Sequence, residues 1–110
     1  MNNPYAGSMV ASNWYHIAGT YDGSFIRYYV NGCLIVEAPA SGTITTNNLI
    51  SCIGNRSTTP TEQFFGEIDE LRIWSEARTA AQLTANMFDL PNPATYANLR
   101  AYYKFNGNLN

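Results

Sequence analysis

Lysine is almost missing from this chain: Lys104 stands alone beside five arginines, and the basic residues form no cluster. With a formal net charge of −2, no positive field exists to neutralise a phosphate backbone, which excludes nucleic acid as a partner. Histidine is represented by His16 alone and cysteine by Cys33 and Cys52. None of them has C-x-x-C spacing, so a zinc site of the usual Cys/His kind cannot be assembled. A disulfide between the two cysteines requires adjacent strands; buried free thiols are the commoner state. No apolar run approaches the roughly 20 residues that span a bilayer, which excludes insertion as a membrane helix. The start, Met1-Asn2-Asn3-Pro4, shows neither the basic nor the apolar segment of a signal peptide. Charged residues make up only 13% against 45% hydrophobic, a balance too apolar for disorder. The 110 residues suffice for one compact domain and are too few for two, so residues 1–110 are expected to form a single unit.

What is abundant points to strands. Eight tyrosines, with many Asn and Thr, suit a β protein whose surface is polar but little charged. Asp22-Gly23 and Asn31-Gly32 separate three β-rich runs, Trp14–Tyr21, Phe25–Val30 and Cys33–Val36. Such dipeptides favour type I′ turns, which need positive φ at both central positions, so a three-stranded meander is predicted. Two-residue loops place Ile17, Tyr28 and Ile35 in one row and Tyr15, Val30 and Cys33 in the next. That face is apolar and is the expected core. The opposite face carries Trp14, His16, Ala18, Phe25, Arg27, Tyr29, Leu34 and Val36, a mixture suited to a groove. A loop one residue longer exchanges the faces of a strand.

Further along, Thr43–Thr45 and Leu49–Ile53 read as short strands, residues 55–63 as a polar loop and Phe64–Trp74 as a strand. Thr79-x-x-Gln82 is a capping box that opens a short helix over about 79–88, with Ala80, Leu83 and Met87 on one stripe. In the last strand Leu99, Ala101, Tyr103 and Phe105 alternate inward, and Arg100, Tyr102, Lys104 and Asn106 outward. The predicted class is all-β, an antiparallel jelly roll or β-sandwich with one short helix.

The segments Trp14-Tyr-His-Ile-Ala-Gly-Thr-Tyr-Asp-Gly-Ser24, Tyr28-Tyr-Val-Asn-Gly32, Ile53-Gly54, Phe65-Gly-Glu-Ile-Asp-Glu-Leu-Arg-Ile-Trp74 and Ala77-Arg78 carry a specific resemblance. Five weak pieces in this order and spacing are together specific. The chain resembles the C-terminal portion of a laminin G-like domain of the concanavalin A-like lectin and glucanase superfamily. The resemblance implies a two-sheet jelly roll that binds carbohydrates, glycoproteins or other proteins, often in secreted or cell-surface settings. It also implies that the family's strands ahead of the Trp-x-His-x-Ala segment are lacking. Apolar faces left uncovered by them favour a homodimer.

The resemblance raises a second chemistry. Glu67-Ile-Asp69-Glu70 is similar to the Glu-x-Asp-x-x-Glu run of the related β-glucanases. Retaining hydrolysis needs two carboxylates on one face about 5 Å apart. On a strand, 67 and 69 share a face, but the next position is Leu71 and Glu70 points away. The catalytic set is broken, and no enzyme activity is expected. Nor does His16 have a Ser, Cys or Asp partner at triad spacing. The residues expected to contact a ligand are Trp14, His16, Arg27 and Tyr29. Asp69 is the candidate ligand for Ca²⁺, although that ion needs six to eight oxygens and one strand is no cage. No other cofactor is implied.

Overall fold

The computed structural model describes residues 9–55 and 62–105. Over them the chain forms β1 (Ile17–Tyr21), β2 (Phe25–Val30), β3 (Cys33–Pro39), β4 (Leu71–Trp74), α1 (Ala80–Ala85) and β5 (Leu99–Tyr103). A short 3-10 turn at Pro93–Thr95, not foreseen, precedes β5. Strands β1, β2 and β3 make an antiparallel meander, and β4 pairs antiparallel with β5. The all-β antiparallel class with its single short α-helix is therefore observed. No helix among the described residues is long and apolar enough to cross a membrane.

The Asn31-Gly32 turn behaves as its residues dictate. Both have positive φ, 50° and 78°, the type I′ combination, and Tyr29↔Leu34 and Val30↔Cys33 pair across it. Asn31 also reaches back: its side-chain oxygen accepts from the His16 N–H at 2.9 Å, and its own N–H donates to His16 O at 2.8 Å. The residues leading into β1 are thereby pinned beside this turn.

The Asp22-Gly23 turn corrects the expected register. Ile17 pairs with Val30 and Tyr21 with Ile26, a slip of two residues from the two-residue loop. The cause is the Asp22 carboxylate, which accepts from the Ser24 and Phe25 N–H groups at 2.9 and 2.8 Å and organises a longer loop. Because the side-chain period is two, this slip leaves every residue on its predicted face. A bulge in β3 does not. Tyr28 pairs with Val36 rather than Ile35, so Ile35 is the extra residue and everything beyond it changes sides. Val36 joins Ile17, Ile26, Tyr28 and Val30, while Glu37 comes opposite Arg27.

This apolar face is not a closed core. Ile17, Ile26 and Val36 are 53%, 52% and 54% exposed, and the buried apolar residues among those described are Tyr29, Val30 and Leu90. Tyr29 lies on the face assigned to a groove and is only 5% exposed.

Three further expectations are corrected. Residues 43–45 and 49–53 form no strand; Ile44, Leu49 and Ile50 are exposed, without a neighbouring ladder to reward their β propensity. The strand expected from Phe64 shrinks to β4, because Glu70 adopts φ 52°, a left-handed conformation no strand accommodates. In β5 it is Tyr102, not Tyr103 or Phe105, that is partly covered, against Glu70 and Arg72. Asn106 lies outside the described residues.

The capping box forms as predicted. Gln82 N–H donates to Thr79 Oγ1 at 3.2 Å, and the Gln82 side chain accepts from Thr79 N–H at 2.9 Å. The helix is shorter than predicted, ending at Ala85 with Asn86 as its C-cap. Its last turn abuts the Asn31-Gly32 turn through Thr84 and Met87. Its C-cap carbonyl, Asn86 O, accepts from Arg72 of β4.

Candidate functional site

A shallow cavity of about 380 Å³ is lined by Trp14, Glu67, Ile68, Asp69 and Phe105. Each wall has a local cause. Trp14 stands two residues ahead of His16, which Asn31 holds in place. Glu67 and Asp69 occupy the loop that the left-handed Glu70 turns into β4, a turn closed by Asp69 Oδ1 accepting the Glu70 N–H at 2.9 Å. Phe105 follows β5 at φ 51° and stacks on Tyr103 with ring centroids 5.8 Å apart. Trp14 is 63% and Phe105 49% exposed, so both rings present open faces. A second depression, about 410 Å³, is lined by Ser24, Phe25, Pro39, Ala40 and Ser41 and holds no charged group.

The structure sorts the sequence-predicted residues. Trp14 and Asp69 come together in the first cavity. Tyr29 is buried, which leaves its ring no face for a ligand. Arg27 is held within its own sheet, 2.5 Å from Asp22 and 2.7 Å from Glu37. Those contacts hold the Asp22 carboxyl down at about 2, chiefly through the Arg27 hydrogen bond and then the Ser24 and Phe25 amides. His16 is half-buried, and burial followed by the nearby Arg72 charge pushes its imidazole below the usual range. Its Nδ1 and the Nε of Arg72 are buried without a hydrogen-bond partner.

Two arginines that the sequence reading quoted only within the family segments turn out to hold local networks. Arg72 donates to Asn86 O, sits 2.9 Å from Glu70 and lies 5.1 Å from the Tyr102 ring centroid. The Tyr102 hydroxyl donates to the same Glu70 carboxylate, and burial, then Glu70, raises its titration above the usual phenol range. Arg78, buried, lies 3.9 Å from the Trp74 ring centroid and is paired with Glu76 at 2.9 Å. Asn98 first, and Arg78 second, hold the Glu76 carboxyl below its ordinary value. The signal for both arginines is an acid two residues earlier, Glu70-x-Arg72 and Glu76-x-Arg78. Phe105 was assigned to the core and instead edges the cavity.

Chemically, the cavity offers two open aromatic faces and two carboxylates. Glu70 does not line it; its carboxylate is taken by Arg72 and Tyr102. Glu67 and Asp69 are exposed. Among the described residues, no three His, Cys, Asp or Glu side chains converge on a metal position. Cys33 and Cys52 are free thiols.

Comparison with known proteins agrees with this architecture. A laminin G family model, described as the concanavalin A-like lectin/glucanases superfamily, matches residues 4–84. The chain belongs to that family. Domains of the laminin G kind are in general binding modules. Pappalysin-1 of Mus musculus is 25% identical over 85 residues, covering 73% of this chain and 5% of that protein. The chain thus spans about a twentieth of that relative. No solved structure matches it.

Proposed function

We propose that the chain is a non-catalytic module that binds a carbohydrate or the glycan of a glycoprotein at the cavity of Trp14, Glu67, Asp69 and Phe105. The observation that carries this reading is the pairing of exposed aromatic faces with exposed carboxylates in one depression. Aromatic faces stack on the apolar face of a pyranose, and carboxylates accept from its hydroxyls. A glycan array tests it: binding should appear and be lost in Trp14→Ala. Silence on the array would favour a protein-interaction module. Reducing-end release from β-glucans that vanishes in Glu67→Gln would replace both readings with a hydrolase.

A second observation supports self-association. Ile17, Ile26 and Val36 expose apolar surface on one face of the meander, and a two-fold pairing covers such a face with itself. Sedimentation equilibrium at micromolar concentration should give a dimer that Val36→Glu dissociates. A folded species at the 12.2 kDa monomer mass would sink this reading.

A further inference from the structure

Four of the five cations among the described residues are seated in the same way, the fifth being Arg100, exposed on β5. Arg27 lies 5.0 Å from the Phe25 ring centroid and is paired with Asp22 and Glu37. Arg72 lies on Tyr102 and pairs with Glu70. Arg78 lies against Trp74, with Tyr96 5.8 Å away, and pairs with Glu76. Lys104 lies 5.6 Å from the Tyr102 centroid and 3.7 Å from Asp89. Each of these four has an aromatic face on one side and a carboxylate on another. The cavity repeats both components, Trp14 and Phe105 with Glu67 and Asp69. Neither of these carboxylates has a cationic partner among the described residues, whereas Asp22, Glu37, Glu70, Glu76 and Asp89 all do.

We propose that the cavity receives a positively charged group of the ligand. Resting on the carbohydrate reading above, the ligand is a glycan whose sugar units carry a free amine. Three physical effects point the same way. Two neighbouring carboxylates repel each other, and a cation between them relieves that repulsion. The negative face of an exposed Trp or Phe attracts the same cation. An ammonium brings three donors to two acceptor groups, while a sulfated or carboxylated glycan meets like charge and is repelled. Acetylating the amine removes the charge and leaves the sugar backbone intact, so it isolates the effect.

Calorimetric titration of the whole chain tests this with three probes: a glucosamine oligosaccharide, its fully N-acetylated counterpart, and an oligolysine peptide of equal charge. The amino oligosaccharide should bind at least about tenfold more tightly than the acetylated one, a gap of about 1.4 kcal/mol. The preference should shrink with added salt and disappear in Glu67→Gln/Asp69→Asn. These are exposed positions, and unchanged circular dichroism confirms folding. Trp14→Ala should weaken binding of the amino oligosaccharide as well. Equal binding of the two sugars would overturn this inference and leave the carbohydrate reading standing. Oligolysine binding with neither sugar bound would overturn both, in favour of a basic protein segment. No binding by any of the three probes would also overturn the inference.

Discussion

Gly32→Ala should cost about 2–3 kcal/mol, in two separable parts. Gly32 has φ 78°, and an L-residue held in the left-handed region loses roughly 1–2 kcal/mol. The added methyl would also lie 2.3 Å from Thr84 Oγ1 and 3.4 Å from Met87 Cε. The first distance is far inside contact, so the Thr84 hydroxyl must rotate away. That hydroxyl donates to Ala80 O at 2.9 Å, and losing such a bond costs about 1 kcal/mol. For a domain of this size, each kcal/mol lowers Tm by roughly 4–8 °C, so the expected fall is roughly 8–24 °C. Thermal melts followed by circular dichroism read it directly. Gly32→Ala/Thr84→Ala separates the parts: with the hydroxyl gone, only the backbone cost of roughly 1–2 kcal/mol remains relative to Thr84→Ala. If Gly32→Ala is as damaging in the Thr84→Ala background as in the wild type, the close seating of α1 on this turn is wrong.

Thr79→Ala removes half of the capping box and should cost about 0.5–2 kcal/mol by urea denaturation, with Thr79→Ser restoring most of it. Arg72→Met leaves Asn86 O without its side-chain donor and the part-buried Glu70 without its cation, and should cost about 3 kcal/mol, with a lower urea midpoint. The imidazole of His16 titrates below 6.5 in the fold, so the unfolded chain takes up that proton first. Stability is then complete above about pH 6.5 and declines as pH falls below it; His16→Gln should flatten the profile below about pH 6.5. For Asp22, held down at about 2 against 3.8 unfolded, the contribution is present above pH 3.8. It is lost as pH falls towards about 2, and Asp22→Asn should remove that acid-limb dependence.

Local chemistry was the legible part of the fold. Asn31-Gly32 and Thr79-x-x-Gln82 each carry their geometry within two to four residues, and both formed as read. Register was less legible. Asp22 caps two following amides and lengthens its loop, and Ile35 is bulged out of its ladder. Neither event leaves a mark in the hydrophobic pattern, yet the second moves Val36 and Glu37 to opposite faces. The strand expected over residues 64–70 failed because Glu70 takes positive φ, with its carboxylate held by Arg72 two residues on and by Tyr102 across the sheet. For the site, the aromatic and acidic residue types were visible. Their convergence was not, because Trp14 and Phe105 are 91 residues apart in the sequence and meet only through tertiary structure.

The six residues of α1 have a consequence for how the chain melts. A helix this short cannot hold together alone in water, since nucleation outweighs the few bonds it makes. It exists because Thr84 and Met87 rest on the turn between β2 and β3, and because the carbonyl of Asn86 is gripped from β4. Close packing between elements is otherwise concentrated within each sheet. The helix therefore acts as a splice: neither sheet can release it without removing support from the other. Part of the cooperativity between the two sheets passes through less than two turns of helix, and loosening that splice should weaken their coupling in unfolding.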